Sequence, residues 1–104
     1  MATGTSTKTD PWQLKTPPLS SEYQMYYGDK DGQPVIVCVV GSTTLYYQRR
    51  AVEDLHAMLK SHGGWYGLKK GLRGRFGMYM PPLLEALDLA EVEHNARGNR
   101  MRAK

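Results

Sequence analysis

Between residues 78 and 104, MYMPPLLEALDLAEVEHNARGNRMRAK, the hydrophobic spacing changes from that of a helix to that of a hairpin. No other feature constrains the fold of this chain as much. Pro81 and Pro82 suit the first turn of a helix, where a missing N–H costs nothing. Leu83, Leu84 and Leu87 follow at helical spacing, which predicts a helix over 81–88. After Leu89-Ala90 the pattern alternates through Val92 and His94. Residues 95–99 (NARGN) read as a turn, and Met101 and Ala103 bring a second strand back. The chain therefore ends in a helix that runs into a hairpin over 91–103, with arginines in and after its turn.

Upstream, the pattern is that of a sheet and then a helix. Residues 1–10 (MATGTSTKTD) are small, polar and aperiodic, and a disordered tail is expected there. Residues 10–21 (DPWQLKTPPLSS) read as an extended strap pinned by Trp12, Leu14 and Leu19, with Pro17-Pro18 opposing helix. Tyrosine-rich alternation from 22 to 28 predicts a strand with Tyr23, Met25 and Tyr27 on one face. Asp29-Lys30-Asp31-Gly32 is a turn signal. The run 35–40 (VIVCVV) is apolar on both faces, as in a central strand, and 43–48 gives a third. Two short connections make this an antiparallel three-stranded meander. Residues 51–62 form an amphipathic helix with Val52, Leu55, Met58 and Leu59 on its apolar face, closed by Gly63-Gly64. Between 65 and 77 four glycines weaken any helix by roughly 1 kcal/mol each. We read 66–72 as a short helix and 73–79 as a turn.

A chain of 104 residues forms one domain, here 11–104, and can bury a core without disulfides or a metal. Its single cysteine, Cys38, excludes an internal disulfide and fits a cytoplasmic setting. The longest apolar run, 35–40, is too short to span a bilayer, so no membrane partner is expected. The net charge of +4 is unevenly spread. Lys60, Lys69, Lys70, Arg73 and Arg75 form one acid-free stretch, and Arg97, Arg100, Arg102 and Lys104 another. Glu85, Asp88, Glu91 and Glu93 lie between. Such basic segments can track phosphates, or simply keep a surface solvated.

The string LLEALDLAEVEH (83–94), followed by a charged hairpin, resembles the end of winged-helix domains. The resemblance covers 51–103, with 51–62 as first helix, 66–72 as second, 81–88 as third and 91–103 as wing. In that family the third helix enters the major groove and the wing touches the backbone or minor groove. The resemblance implies wing contacts from Arg97, Arg100 and Arg102. It implies contacts near the front of the third helix from Met78, Tyr79 and the preceding Arg73 and Arg75. That helix lacks Arg, Lys, Asn, Gln and Ser, and Glu85 and Asp88 would repel phosphates. This speaks against reading base edges and leaves non-specific duplex binding or protein contact. Winged helices often pair, so a homodimer is compatible, although no heptad repeat supports one. The whole chain also resembles a small family of uncharacterised bacterial proteins that share DPWQLKTPP and GWYGLKKGLRGRFGMY.

Within that second motif, glycines beside Lys69, Lys70, Arg73 and Arg75 would let a backbone approach phosphates. The order Gly-Lys-Ser/Thr of a P-loop is absent, which argues against an NTPase. Trp65, Leu68, Leu72 and Phe76 are expected in the core. Tyr23, Tyr26, Tyr27, Tyr46 and Tyr47 crowd the sheet, where cross-strand aromatic pairs contribute roughly 0.2–1 kcal/mol each. Those facing outward could bind a partner. His56, His62 and His94 are scattered, no zinc ligand set or nucleophile–base pair is present, and neither metal nor cofactor is expected. The expectation is an α+β fold, a three-stranded meander followed by a winged-helix-like half. Its expected job is non-catalytic binding of nucleic acid, with duplex DNA favoured, by Lys69, Lys70, Arg73, Arg75, Tyr79, Arg97, Arg100 and Arg102. The rival reading is a protein-interaction module using the tyrosine-rich sheet and the 78–84 segment.

Overall fold

The computed structural model describes residues 6–68, 72 and 74–104. The alternating segments form β2 (Glu22–Lys30), β3 (Gln33–Val40) and β4 (Thr43–Gln48), antiparallel as expected. Lys30 pairs with Gln33, leaving Asp31-Gly32 as a two-residue loop, and both residues have positive φ, 52° and 79°. That geometry matches the right-handed twist of the flanking strands. The strap supplies a fourth strand. β1 (Trp12–Lys15) pairs with β2, placing Trp12 opposite Met25 and Leu14 opposite Tyr23. Leu19 is not pinned: it lies in a turn with φ 63°, its N–H bonded to the Thr16 carbonyl at 2.7 Å, and is 51% exposed. The expected tail is partly ordered too. Residues 1–5 lie outside the described residues, but Tyr27 N–H donates to the Ser6 carbonyl at 3.0 Å.

The sheet is apolar inward over its centre and partly so outward. Trp12, Leu14, Tyr23, Met25, Ile36 and Cys38 point to the core. On the other face Val35 and Val37 are also buried, between Gly28, Tyr26, Tyr46 and Gln48 of the neighbouring strands. Gly28 leaves room for Val37, since a Cβ at 28 would meet Val37 Cγ2 at 3.0 Å.

α1 (Arg50–His62) buries Val52, Leu55 and Leu59 and ends at Gly63, φ 64°. Next come β5 (Tyr66–Gly67), α2 (Phe76–Ala86), β6 (Ala90–Val92) and β7 (Arg100–Ala103). These three strands form a small antiparallel sheet in the order β5-β7-β6. Tyr66 and Gly67 are thus strand, not helix, since the paired backbone of β7 takes up their polar groups. Leu72 N–H donates to the Leu68 carbonyl at 3.0 Å; 69–71 and 73, within the short helix expected over 66–72 and the turn expected over 73–79, lie outside the described residues. The last helix begins at Phe76 rather than Pro81. Two interior prolines cost about 3 kcal/mol each, which burial of Met80, Leu83 and Leu84 offsets by roughly 2 kcal/mol per side chain together with its packing. One core joins the four-stranded sheet, both helices and the small sheet, drawing Met80, Leu83 and Leu84 against Ala90, Val92 and Met101. Among the described residues no helix is long and apolar enough to cross a membrane.

Candidate nucleic-acid interface

The hairpin register decides which arginines are available. Ala90 faces Ala103, Glu91 faces Arg102 and Val92 faces Met101, and Glu93 N–H donates to the Arg100 carbonyl at 2.9 Å. Each acid of the outgoing strand therefore stands opposite a base of the returning one. Arg100 Nε and Nη2 both donate to Glu93, at 2.9 Å each, and Arg102 Nη2 donates to Glu91 at 3.0 Å. Their guanidinium carbons lie 5.3 and 4.6 Å from the centre of the Trp65 ring. Lys104 pairs with Asp88. The hydrogen bond from Arg100 holds the Glu93 carboxyl below the usual carboxylate range, and the same bond raises Arg100. The base of the hairpin is thus charge-compensated.

Its tip is different. Asn99 closes the loop on Asn95: Asn95 N–H donates to Asn99 Oδ1 at 2.6 Å, and Asn99 Nδ2 donates to the Asn95 carbonyl at 2.9 Å. The buried Asn99 also accepts from Leu68 N–H at 3.1 Å, tying the tip to the α1–α2 connection. Arg97 is exposed on this clasped loop and makes no ion pair with a described residue. A groove of about 370 Å³ runs beside it, between Pro17-Pro18, Leu68, Leu72 and Met78, with Arg97 on its wall. Met78 is 44% exposed there. Gly77 permits the close fit, since a Cβ would meet Leu72 Cβ at 3.2 Å and the Leu68 carbonyl at 3.3 Å.

Arg75 stands at the N-terminus of α2, exposed and next in sequence to the groove residue Gly74. The first turn of α2 carries no acid, and no side chain caps it. A positive helix end with a cation on it attracts anions. Of the residues expected in the interface, Arg75 and Arg97 are available, whereas Arg100 and Arg102 are engaged. Tyr79 is buried: its ring lies 4.8 Å from that of Tyr23, and the Tyr23 hydroxyl donates to its carbonyl at 2.6 Å. It faces the sheet because the helix begins five residues earlier than its prolines suggest. Lys69, Lys70 and Arg73 lie outside the described residues.

Sequence reasoning passed over His94. Nδ1 lies 2.9 Å from the Pro17 carbonyl and Nε2 lies 2.6 Å from Glu85 Oε2. The ring therefore bridges strap, α2 and hairpin. The Arg–Glu pairing was readable in principle: positions 91 and 102, and 93 and 100, are equidistant from one turn. Elsewhere, burial pushes the Cys38 thiol up to about 12, which suppresses its thiolate. No group of three or more potential metal-ligating side chains occurs among the described residues.

A family model matches residues 4–65 and 62–104, and its description is a family of unknown function (DUF6855). No curated protein and no solved structure matches the chain.

Proposed function

The chain belongs to that family, and we propose that it is a non-catalytic, winged-helix-like protein that grips the phosphate backbone of duplex DNA. The observation that carries this reading is the rim of the groove. Arg97 lies on its wall, Arg75 follows the groove residue Gly74 at the start of α2, and neither makes an ion pair with a described residue. Lys69, Lys70 and Arg73 precede Arg75 in sequence with no acid among them. The order of described elements supports it as well: α1, β5, α2 and then a hairpin end the chain as a helix-then-wing arrangement does. Because α2 is buried along most of its surface, it has no free face for base edges, and the binding is sequence-independent. A cytoplasmic setting accords with a buried, unpaired Cys38.

The test is fluorescence anisotropy with a mixed-sequence duplex over a range of salt. Affinity should fall with log salt at a slope of about −0.9 per phosphate engaged. Replacing Arg75 and Arg97 together by alanine should flatten that slope by about 2. Arg100→Ala should leave it nearly unchanged. No binding at low salt would reject the proposal, and so would equal slopes in wild type and double variant.

A second reading, protein interaction through the tyrosine-rich sheet, is favoured by one observation: Tyr46 is 45% exposed on the sheet face turned away from the core. Binding through that face would be insensitive to salt.

A further inference from the structure

The two edges of the four-stranded sheet are treated differently. β1 is four residues long, bounded by Pro11 and Pro17-Pro18; it carries Lys15, which pairs with Glu22 at 4.0 Å, and α2 packs against it. Those are the usual protections of an edge. β4, TTLYYQ, is six residues long with no charge, proline or glycine. Among the described residues its backbone bonds only to β3, and the side of the ladder turned away from β3 is open. In an antiparallel sheet alternate residues of an edge strand point both N–H and C=O outward.

We propose that β4 pairs antiparallel with β4 of a second copy, joining two sheets into one of eight strands. Three properties of the strand select a second copy. A two-fold axis through the middle of the strand maps it onto itself in antiparallel sense, so every outward donor meets an equivalent acceptor. Centring the axis on Tyr46 sets Leu45 opposite Tyr47 of the other copy, both on the core face. Thr44 then meets Gln48, both on the outer face, so the faces match without a slip. Charge also fits. Arg49 and Arg50 follow the strand directly, and antiparallel pairing sends the two arginine pairs to opposite ends. Six residues at about 3.4 Å separate them by roughly 20 Å, well beyond the Debye length of about 8 Å. A parallel pair would set them side by side. A ladder this short buries less than the roughly 1,200 Å² of a durable interface, so the dimer is reversible.

Sedimentation velocity over a wide concentration range tests this, at moderate salt and without nucleic acid. The apparent mass should rise from 11.7 kDa towards twice that value. Amide hydrogen exchange of residues 43–48 should slow in step. Tyr46→Lys puts like charges face to face on the axis and should hold the protein at the monomer mass. Because Tyr46 also receives Lys30 at 3.9 Å, Thr44→Lys, at an exposed outer position, is the second variant, and circular dichroism checks folding. A wild type that stays monomeric throughout overturns the proposal and leaves the edge to a strand of another protein. Folded variants that both dimerise as wild type does also overturn it. The readout involves neither the groove nor duplex DNA, so it stands or falls apart from the binding reading.

Discussion

The two helices of this fold are built on opposite plans. α1 buries three residues, Val52, Leu55 and Leu59, and turns Glu53, Asp54 and Lys60 to solvent. α2 is shorter, yet buries seven of its eleven residues and leaves only Met78 well exposed. A chain that places a helix before a basic hairpin need not present that helix to a partner. Here the helix is the core, and any surface work passes to what flanks it: Arg75 before and Arg97 after.

The largest effect expected from this contrast is on stability. Leu84→Ala, at a fully buried position of α2, should cost about 2–5 kcal/mol, whereas Glu53→Ala on the solvent face of α1 should stay within about 0.5 kcal/mol. Denaturant melts of the two variants decide it; comparable losses would erase the distinction between the helices.

Next comes alkaline pH, which probes the junction of α2 with the sheet. Burial raises Tyr23, whose hydroxyl is bonded to α2, and pushes Tyr47 and Cys38 up to about 12 each. All three are raised above their unfolded values. Their contribution is therefore full below about pH 9 and is lost as pH rises towards 12. In the window where a group ionises only in the unfolded chain, each costs about 1.4 kcal/mol per pH unit. A melting temperature unchanged from pH 8 to 11 would show that these groups are not shielded as described.

The smallest effect sharpens the contrast at the hairpin. Arg100→Ala removes an exposed ion pair and ring stacking, and should lower stability only slightly. Arg97→Ala should not change it measurably, because the side chain pairs with none of the described residues. Thermal melts that rank the two in reverse would mean that the tip, not the base, is the charge-compensated part.

Much of the sheet was legible because its signals are local. Alternation in 22–28 and 43–48, the doubly apolar 35–40 and the Asp31-Gly32 turn each act within a few residues. α1 was legible for the same reason. What escaped depends on distant partners. The prolines flanking β1 suggest a strap until β2 is beside it. Tyr66-Gly67 is a strand only because β7 lies alongside. The start of α2 is concealed by Gly77, Pro81 and Pro82, which disfavour helix locally and are overruled by packing. At the site, basic residues were visible but their pairing was not: counting arginines said nothing about which faced a glutamate.

The Tyr23 hydroxyl on the Tyr79 carbonyl joins residues 56 positions apart, and β1 lies against α2. The consequence is one of modularity. Residues 51–103 look like a portable cassette in sequence, but cutting the chain before α1 would strip the cover from a helix that has almost no polar face. The hairpin and its helix share one core with the meander, so neither half carries a complete core of its own.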